Sequence, residues 1–176
     1  LTMSACAPIS KPLGNPEAPY PATPAPRVGD ILHLPTGYYV DQQVLLDRAV
    51  RSRIVYVGET HDNPASHRLQ LEILQALAAA NPGKISLGME MFNQTQQPVL
   101  DSWSAGELEE KSFLRQVNWY RNWGMDFAFY RDLLLFCRDH GVKVLALNVN
   151  KDLQQKVGRT PFDQLSEAEQ ARLPEM

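Results

Sequence analysis

Apolar positions along this chain come in short runs that switch between two spacings. "RIVYVG", residues 53–58, is a nearly continuous apolar run closed by glycine, which is the pattern of a buried strand. Directly after it, Leu69, Ile73 and Leu77 recur every four residues with Leu74 beside them, the inward stripe of a helix. Asn63 and Pro64 suit its cap and first turn, and the helix should run to about Ala80, where "NPGK" stops it. "ISLGMEMF" then reads as a strand, "QPVLDSW" and "ELEEKSFLRQV" as helices, "DFAFYRDLLLFCRDH" as a longer helix ended by Gly141, and "VKVLALNV" as a further strand. Upstream, "DILHL" is a weak strand and "VDQQVLLDRAVRS" a helix. Strands separated by helices pair in parallel and carry helices over the sheet. The expectation for residues 27–176 is an α/β layered domain with a mainly parallel central sheet flanked by helices.

That order also says where chemistry should gather. In open parallel sheets, ligands sit outside the carboxyl ends of the strands. Glu59 and His61 follow one strand, Glu90 lies in "GMEMF", and Asn148 in "ALNVN" ends a third. Glu59, His61 and Glu90 are therefore expected to face one cavity, where burial requires each to be paired, hydrogen-bonded or bound to a ligand. These residue types also hold zinc and similar ions. One reading is thus a metal-dependent hydrolase, protease-like or esterase-like, with Glu59, His61 and Glu90 as catalytic and metal-binding groups. His61 and His67 are six residues apart, so no tight helical histidine pair supports it, and His67 is free to sit on the exposed side of its helix. The plainest alternative is a tethered periplasmic interaction domain whose polar edge does no chemistry.

Composition narrows the partners. With 176 residues, 44% hydrophobic and 21% charged, the chain can bury one ordinary core. A net charge of -3 without a long basic run gives no footprint for nucleic acid. The amino terminus differs from the rest: "MSAC" has the order of a bacterial lipobox, with Cys6 as the lipid acceptor and Met3 where leucine is usual. Seven of the thirteen prolines follow, between Pro8 and Pro26, making a stiff spacer. Residues 1–26 are read as a lipobox remnant and proline-rich tether, with a signal-peptide start expected upstream. The remaining cysteine, Cys137 in "LLLFCRDHG", sits among apolar neighbours and reads as a buried structural thiol.

Aromatic residues concentrate in one region, since nine of the fifteen lie between Trp103 and Phe136. Tyr120 and Tyr130 are each followed by arginine, whose charge would favour phenolate if it reached the ring oxygen. The bland reading is a core stripe of Phe129, Leu133 and Phe136.

"VYVGETHDNPASH", "GMEMF" with "QQPVLD" after it, "NWGMDFAFYRDLLLFCRDHG" and "VLALNVNKDL" together resemble the ChaN-type haem-binding lipoproteins. Those belong to a superfamily that also includes Tiki, TraB and erythromycin-esterase-like proteins. The resemblance runs from about Asp30 to the end of the chain, in order. It implies an iron-regulated outer-membrane lipoprotein of haem uptake, facing the periplasm or the surface. Haem would lie in a pocket formed by two monomers, with a tyrosine on the iron and a histidine and a lysine for the propionates. Tyr20 lies in the tether, Tyr56 in a strand expected to be buried, and Tyr38 and Tyr39 in an expected turn. Tyr130 is the favoured iron ligand, since "FAFYRDLL" is the closer match, with Tyr120 second. His61 or His67, with Lys151, would meet the propionates. The resemblance further implies that relatives continue beyond the capping box at Ser166 and Glu169, so residues 27–176 are expected to be the N-terminal part of a longer fold.

Overall fold

A computed structural model of the protein describes residues 25–173, and the chain divides into two compact units, 1–48 and 49–176. The proposed lipid-acceptor Cys6 and nearly all of the proline-rich segment lie outside the described residues. In the first unit, β1 (Ile31–His33) pairs antiparallel with β2 (Tyr38–Val40), placing Leu32 opposite Tyr39. The expected weak strand is β1. Tyr38 and Tyr39, expected in a turn, belong instead to β2. The turn ends at Gly37, which takes the positive φ of 70° and whose N–H closes onto the His33 carbonyl at 2.9 Å. A helix, α1 (Gln42–Arg51), follows and runs into the second unit.

The second unit carries the layered arrangement. α2 (Pro64–Ala80) begins where the sequence predicts: the Asn63 side chain accepts from the Ala65 N–H at 2.9 Å, and Pro64 occupies the first turn. β3 (Ser86–Asn93) and β4 (Lys143–Asn148) pair in parallel, from Ser86 opposite Lys143 to Met89 opposite Ala146. The register shifts between Met89 and Asn93 and resumes with Asn93 opposite Asn148. Helices flank this sheet: α3 (Gln97–Ser104), α4 (Glu110–Gln116), the single turn α5 (Trp119–Asn122) and α6 (Ala128–Asp139) separate the strands, and α7 (Lys151–Val157) and α8 (Glu167–Gln170) follow β4.

α3 does more than cover the sheet. Gln97 donates to the Val144 carbonyl at 2.9 Å and accepts from the Ala146 N–H at 2.9 Å, while Ser104 Oγ accepts from the Val144 N–H at 3.0 Å. These side chains satisfy backbone groups that a strand edge would otherwise offer to another chain. The core beneath is aromatic, with Trp103, Phe113, Trp119, Phe92 and Tyr130 all buried. Both inner tryptophans find carbonyls for their N–H groups, Trp103 on Leu134 and Trp119 on Met125, each at 2.8 Å. α6 turns Tyr130, Leu133, Leu134 and Cys137 inward, at the spacing of one helix face. Phe129 and Phe136, expected in the core stripe, sit at its margins and are only partly buried. Cys137 is a buried thiol as expected, and burial pushes it up to about 12, far from a reactive thiolate. Gly141, at φ 63°, ends α6.

One expected strand is absent. Residues 53–58, "RIVYVG", form no ladder among the described residues, and Ile54 and Tyr56 are 66% and 91% exposed. The segment alternates exposed and half-buried positions, as a strand with one covered face would. A run of apolar residues signals that burial is possible, but a ladder also needs a neighbouring backbone in register, and among the described residues this segment joins none.

Candidate functional site

Glu59 stands just beyond this extended segment, and its carboxylate is the hub of the site, with a side chain only 5% exposed. Oε1 accepts from the Tyr130 hydroxyl at 2.6 Å and from His61 Nδ1 at 2.7 Å. Oε2 accepts from Gln70 Nε2 at 2.8 Å and faces His67 Nδ1 at 3.3 Å. Burial alone would raise the Glu59 pKa. The hydrogen bonds from Tyr130, His61 and Gln70, with the positive charge His67 carries when protonated, outweigh it and hold the carboxyl below its ordinary value.

The partners come from distant parts of the chain. Asn63 and Pro64 start α2 so that His67 and Gln70, three residues apart, project from one face toward Glu59. His67 is buried rather than exposed: its Nε2 donates to the His61 carbonyl at 3.0 Å, since a carbonyl only accepts, and its ring stacks on Phe129 and abuts Tyr130. Tyr130 arrives from α6 and is fully buried. Burial first, and then the hydrogen bond to Glu59, raise its pKa, while the neighbouring Trp123 indole acts the other way. The arginine after it does not reach the phenol. Arg131 pairs with Glu110 at 2.8 Å on the surface, so Tyr130 is kept protonated instead of being drawn toward phenolate.

His61 remains half-open, with 38% of its side chain exposed, and the edge of its ring meets Trp123 at a centroid distance of 4.9 Å. Glu90 approaches from β3: one ligand atom from each of Glu59, His61 and Glu90 lies within 4.8 Å of the others. Asn148, from the end of β4, donates to the Glu90 carbonyl at 2.6 Å. The structure thus brings together Glu59, His61, His67, Glu90, Asn148 and Tyr130. Gln70 and Trp123 are the members that sequence reasoning missed. The spacing of Gln70 from His67 on α2 was the available signal, whereas nothing local marks Trp123.

Tyr120 and Lys151 lie elsewhere. Tyr120, on α5, is 66% exposed, and Lys151 Nζ donates to the carbonyl of the next residue, Arg121, at 2.9 Å. Beside them, at the carboxyl ends of β3 and β4, opens a cavity of about 350 Å³ lined by Asn93, Gln96, Asn118, Asn122, Asn150 and Lys151. Asn118 stands there in the left-handed region, at φ 48°.

Residues 45–176 match the family model described as haem-binding uptake, Tiki superfamily, ChaN. The chain belongs to the ChaN family. Among solved structures, this ChaN-family chain is similar to one described as cofacial heme binding to ChaN of Campylobacter jejuni. The TM-score is 0.64 at 17% identity, over 75% of this chain and 53% of that one. The likeness supports the α/β fold. Among curated proteins, the ChaN-family segment is similar to the chloroplastic protein RETICULATA-RELATED 5 of Arabidopsis thaliana, 26% identical over 145 residues. That alignment covers 79% of this chain and 19% of the plant protein. The chain therefore spans about half of the ChaN structure and about a fifth of the plant relative.

Proposed function

We propose that this chain binds haem as part of bacterial haem and iron uptake, with Tyr120 as the iron ligand. The observation that carries the choice is the contrast in exposure: Tyr120 is 66% exposed, whereas Tyr130 is fully buried with its hydroxyl donated to Glu59. A phenol must reach the iron and lose its proton, and burial opposes both at Tyr130. Tyr120 stands open to solvent, within reach of a ligand.

The surroundings fit the group in part. Haem needs an axial ligand, cations for two carboxylates and apolar surface. Lys151 is held one residue from Tyr120 through the Arg121 carbonyl, so its ammonium suits a propionate. Of the two histidines, His61 is the accessible one, since His67 places both ring nitrogens against internal partners. The neighbouring cavity is lined mainly by amides, so the second apolar wall is assigned to another copy of the chain, in a homodimer. A lipid on Cys6 and the proline-rich segment would tether the domain in the envelope, as an outer-membrane lipoprotein facing the periplasm or the surface.

Titration of hemin into the full chain, with Tyr120→Phe and Tyr130→Phe beside it, tests the reading. The parent and Tyr130→Phe should give a high-spin tyrosinate spectrum, and Tyr120→Phe should lose it. A spectrum that survives Tyr120→Phe and vanishes in folded Tyr130→Phe would move the ligand to the buried position.

A further inference from the structure

The cavity of about 350 Å³ at the carboxyl ends of β3 and β4 supplies no ligand to the iron proposed above, and its walls are those of a different kind of site. We infer that it binds a neutral saccharide of one or two rings.

Six of the side chains lining it are amides, from Asn93, Gln96, Gln116, Asn118, Asn122 and Asn150. An amide offers donors on its nitrogen and an acceptor on its oxygen without bringing a charge, which is what a ring of hydroxyl groups requires. The charged side chains of the lining, Lys151 and Asp152, are of opposite sign, so the walls carry no net charge to favour an ionic ligand. Val99 and Val117 add a small apolar surface, suited to the C–H face of a sugar ring. The volume lies at the small end of the ~300–1,000 Å³ range of ligand sites, in keeping with one or two rings.

Part of this lining is fixed and part is left open. Gln96, only 7% exposed, is used at both ends: its Nε2 donates to the Val117 carbonyl, and its Oε1 accepts from the Asn93 N–H at 2.8 Å. Asn122 Nδ2 donates to the same carbonyl at 2.8 Å, which leaves Oδ1 as an acceptor. Asn93 Oδ1 accepts from the Thr95 N–H and hydroxyl, which leaves Nδ2 as a donor. The side chains of Asn118 and Asn150 make no hydrogen bond among the described residues. Asn118 is also held in the left-handed region, at φ 48° and ψ 53°, a costly backbone of the kind that gathers at ligand sites. The open amides come from the end of β3, both ends of α5 and the residue before α7. Groups converging from separate elements surround a compact ligand, whereas an extended peptide would be met along a strand or groove.

The test titrates glucose and N-acetylglucosamine into isotopically labelled full chain, with glucuronate and trialanine beside them, and follows the NMR signals of the amide groups. A neutral sugar should give saturable shifts in the side-chain NH₂ signals of Asn93, Asn118, Asn122 and Asn150, and glucuronate and trialanine should bind more weakly. Asn150→Ala and Asn118→Gly should each weaken the sugar by about 10-fold, the loss of one or two hydrogen bonds. Asn150 makes no side-chain cap, and glycine takes a left-handed φ without strain, so both variants keep the fold. Hemin titration into the same variants keeps this site apart from the haem reading: the tyrosinate spectrum should survive while sugar binding falls, and Tyr120→Phe should do the opposite. No saturable shift with either sugar, sugar binding unchanged in both asparagine variants, or tighter binding of glucuronate or trialanine would overturn the assignment.

Discussion

Tyr120 and Tyr130 begin as near twins. Each is followed by an arginine, and both lie in the aromatic-rich stretch between Trp103 and Phe136. In the folded chain they part completely. Tyr120 sits exposed on a single helical turn, whereas Tyr130 is on the inner face of α6, packed against His67 and Trp119 and bonded to Glu59, 71 positions away. A tyrosine's chemistry is set by what surrounds its oxygen: solvent and open surface leave it able to meet a ligand, and a buried carboxylate makes it a donor that orients another group. The first is suited to binding and the second to holding a site in shape.

The most damaging way to disturb this contrast is to remove the hub on the buried side. Glu59→Ala leaves the Tyr130 hydroxyl, Gln70 and His67 without their shared acceptor, and denaturant unfolding should show a loss of about 3–5 kcal/mol. Tyr130→Phe removes one hydrogen bond to that carboxylate and should cost about 1.5–3 kcal/mol while leaving the hemin spectrum in place. Tyr120→Phe should do the reverse, shifting stability by less than about 0.5 kcal/mol and abolishing the tyrosinate spectrum. Equal losses of stability in the two phenylalanine variants would erase the distinction.

Acid sharpens it further. Glu59 has a folded pKa held below the ordinary value of 4.5, so its stabilisation is fully present above that value and is lost as pH falls through the lowered one. The parent chain should lose stability on acidification below about 4.5 more steeply than Glu59→Gln does, as read by thermal unfolding across a pH series. The smallest effect belongs to an exposed carboxylate. Glu169, bonded by Lys156 and the Ser166 cap, should titrate near about 2 by NMR, yet Glu169→Gln should leave the unfolding temperature unmoved within error, because solvent screens such pairs.

Much of this was legible from local pattern. Asn63 before Pro64 and the four-residue spacing of Leu69, Ile73 and Leu77 located α2, and Gly141 marked the end of α6. These signals act over a few residues, through capping geometry and helical period, and so survive in the linear sequence. The convergence of Glu59, His61 and Glu90 was expected from strand order; the structure brings the three together although residues 53–58 form no ladder and Glu90 lies inside β3.

Other features depend on partners that no local pattern names. Ile54 and Tyr56 look like strand core, yet a ladder needs a second backbone in register, and among the described residues their segment joins none. The inward rotation of α6 by one position, placing Tyr130 where Phe129 was expected, follows from packing against Trp119 and His67. By itself the sequence determined α1 to α4 and α6, the Asn63 cap, the layered class and the edge where polar groups gather, since the helices and the cap rest on interactions between near neighbours. Only the tertiary structure decided which tyrosine is buried and which is open, because burial is the joint result of every element packed around a side chain.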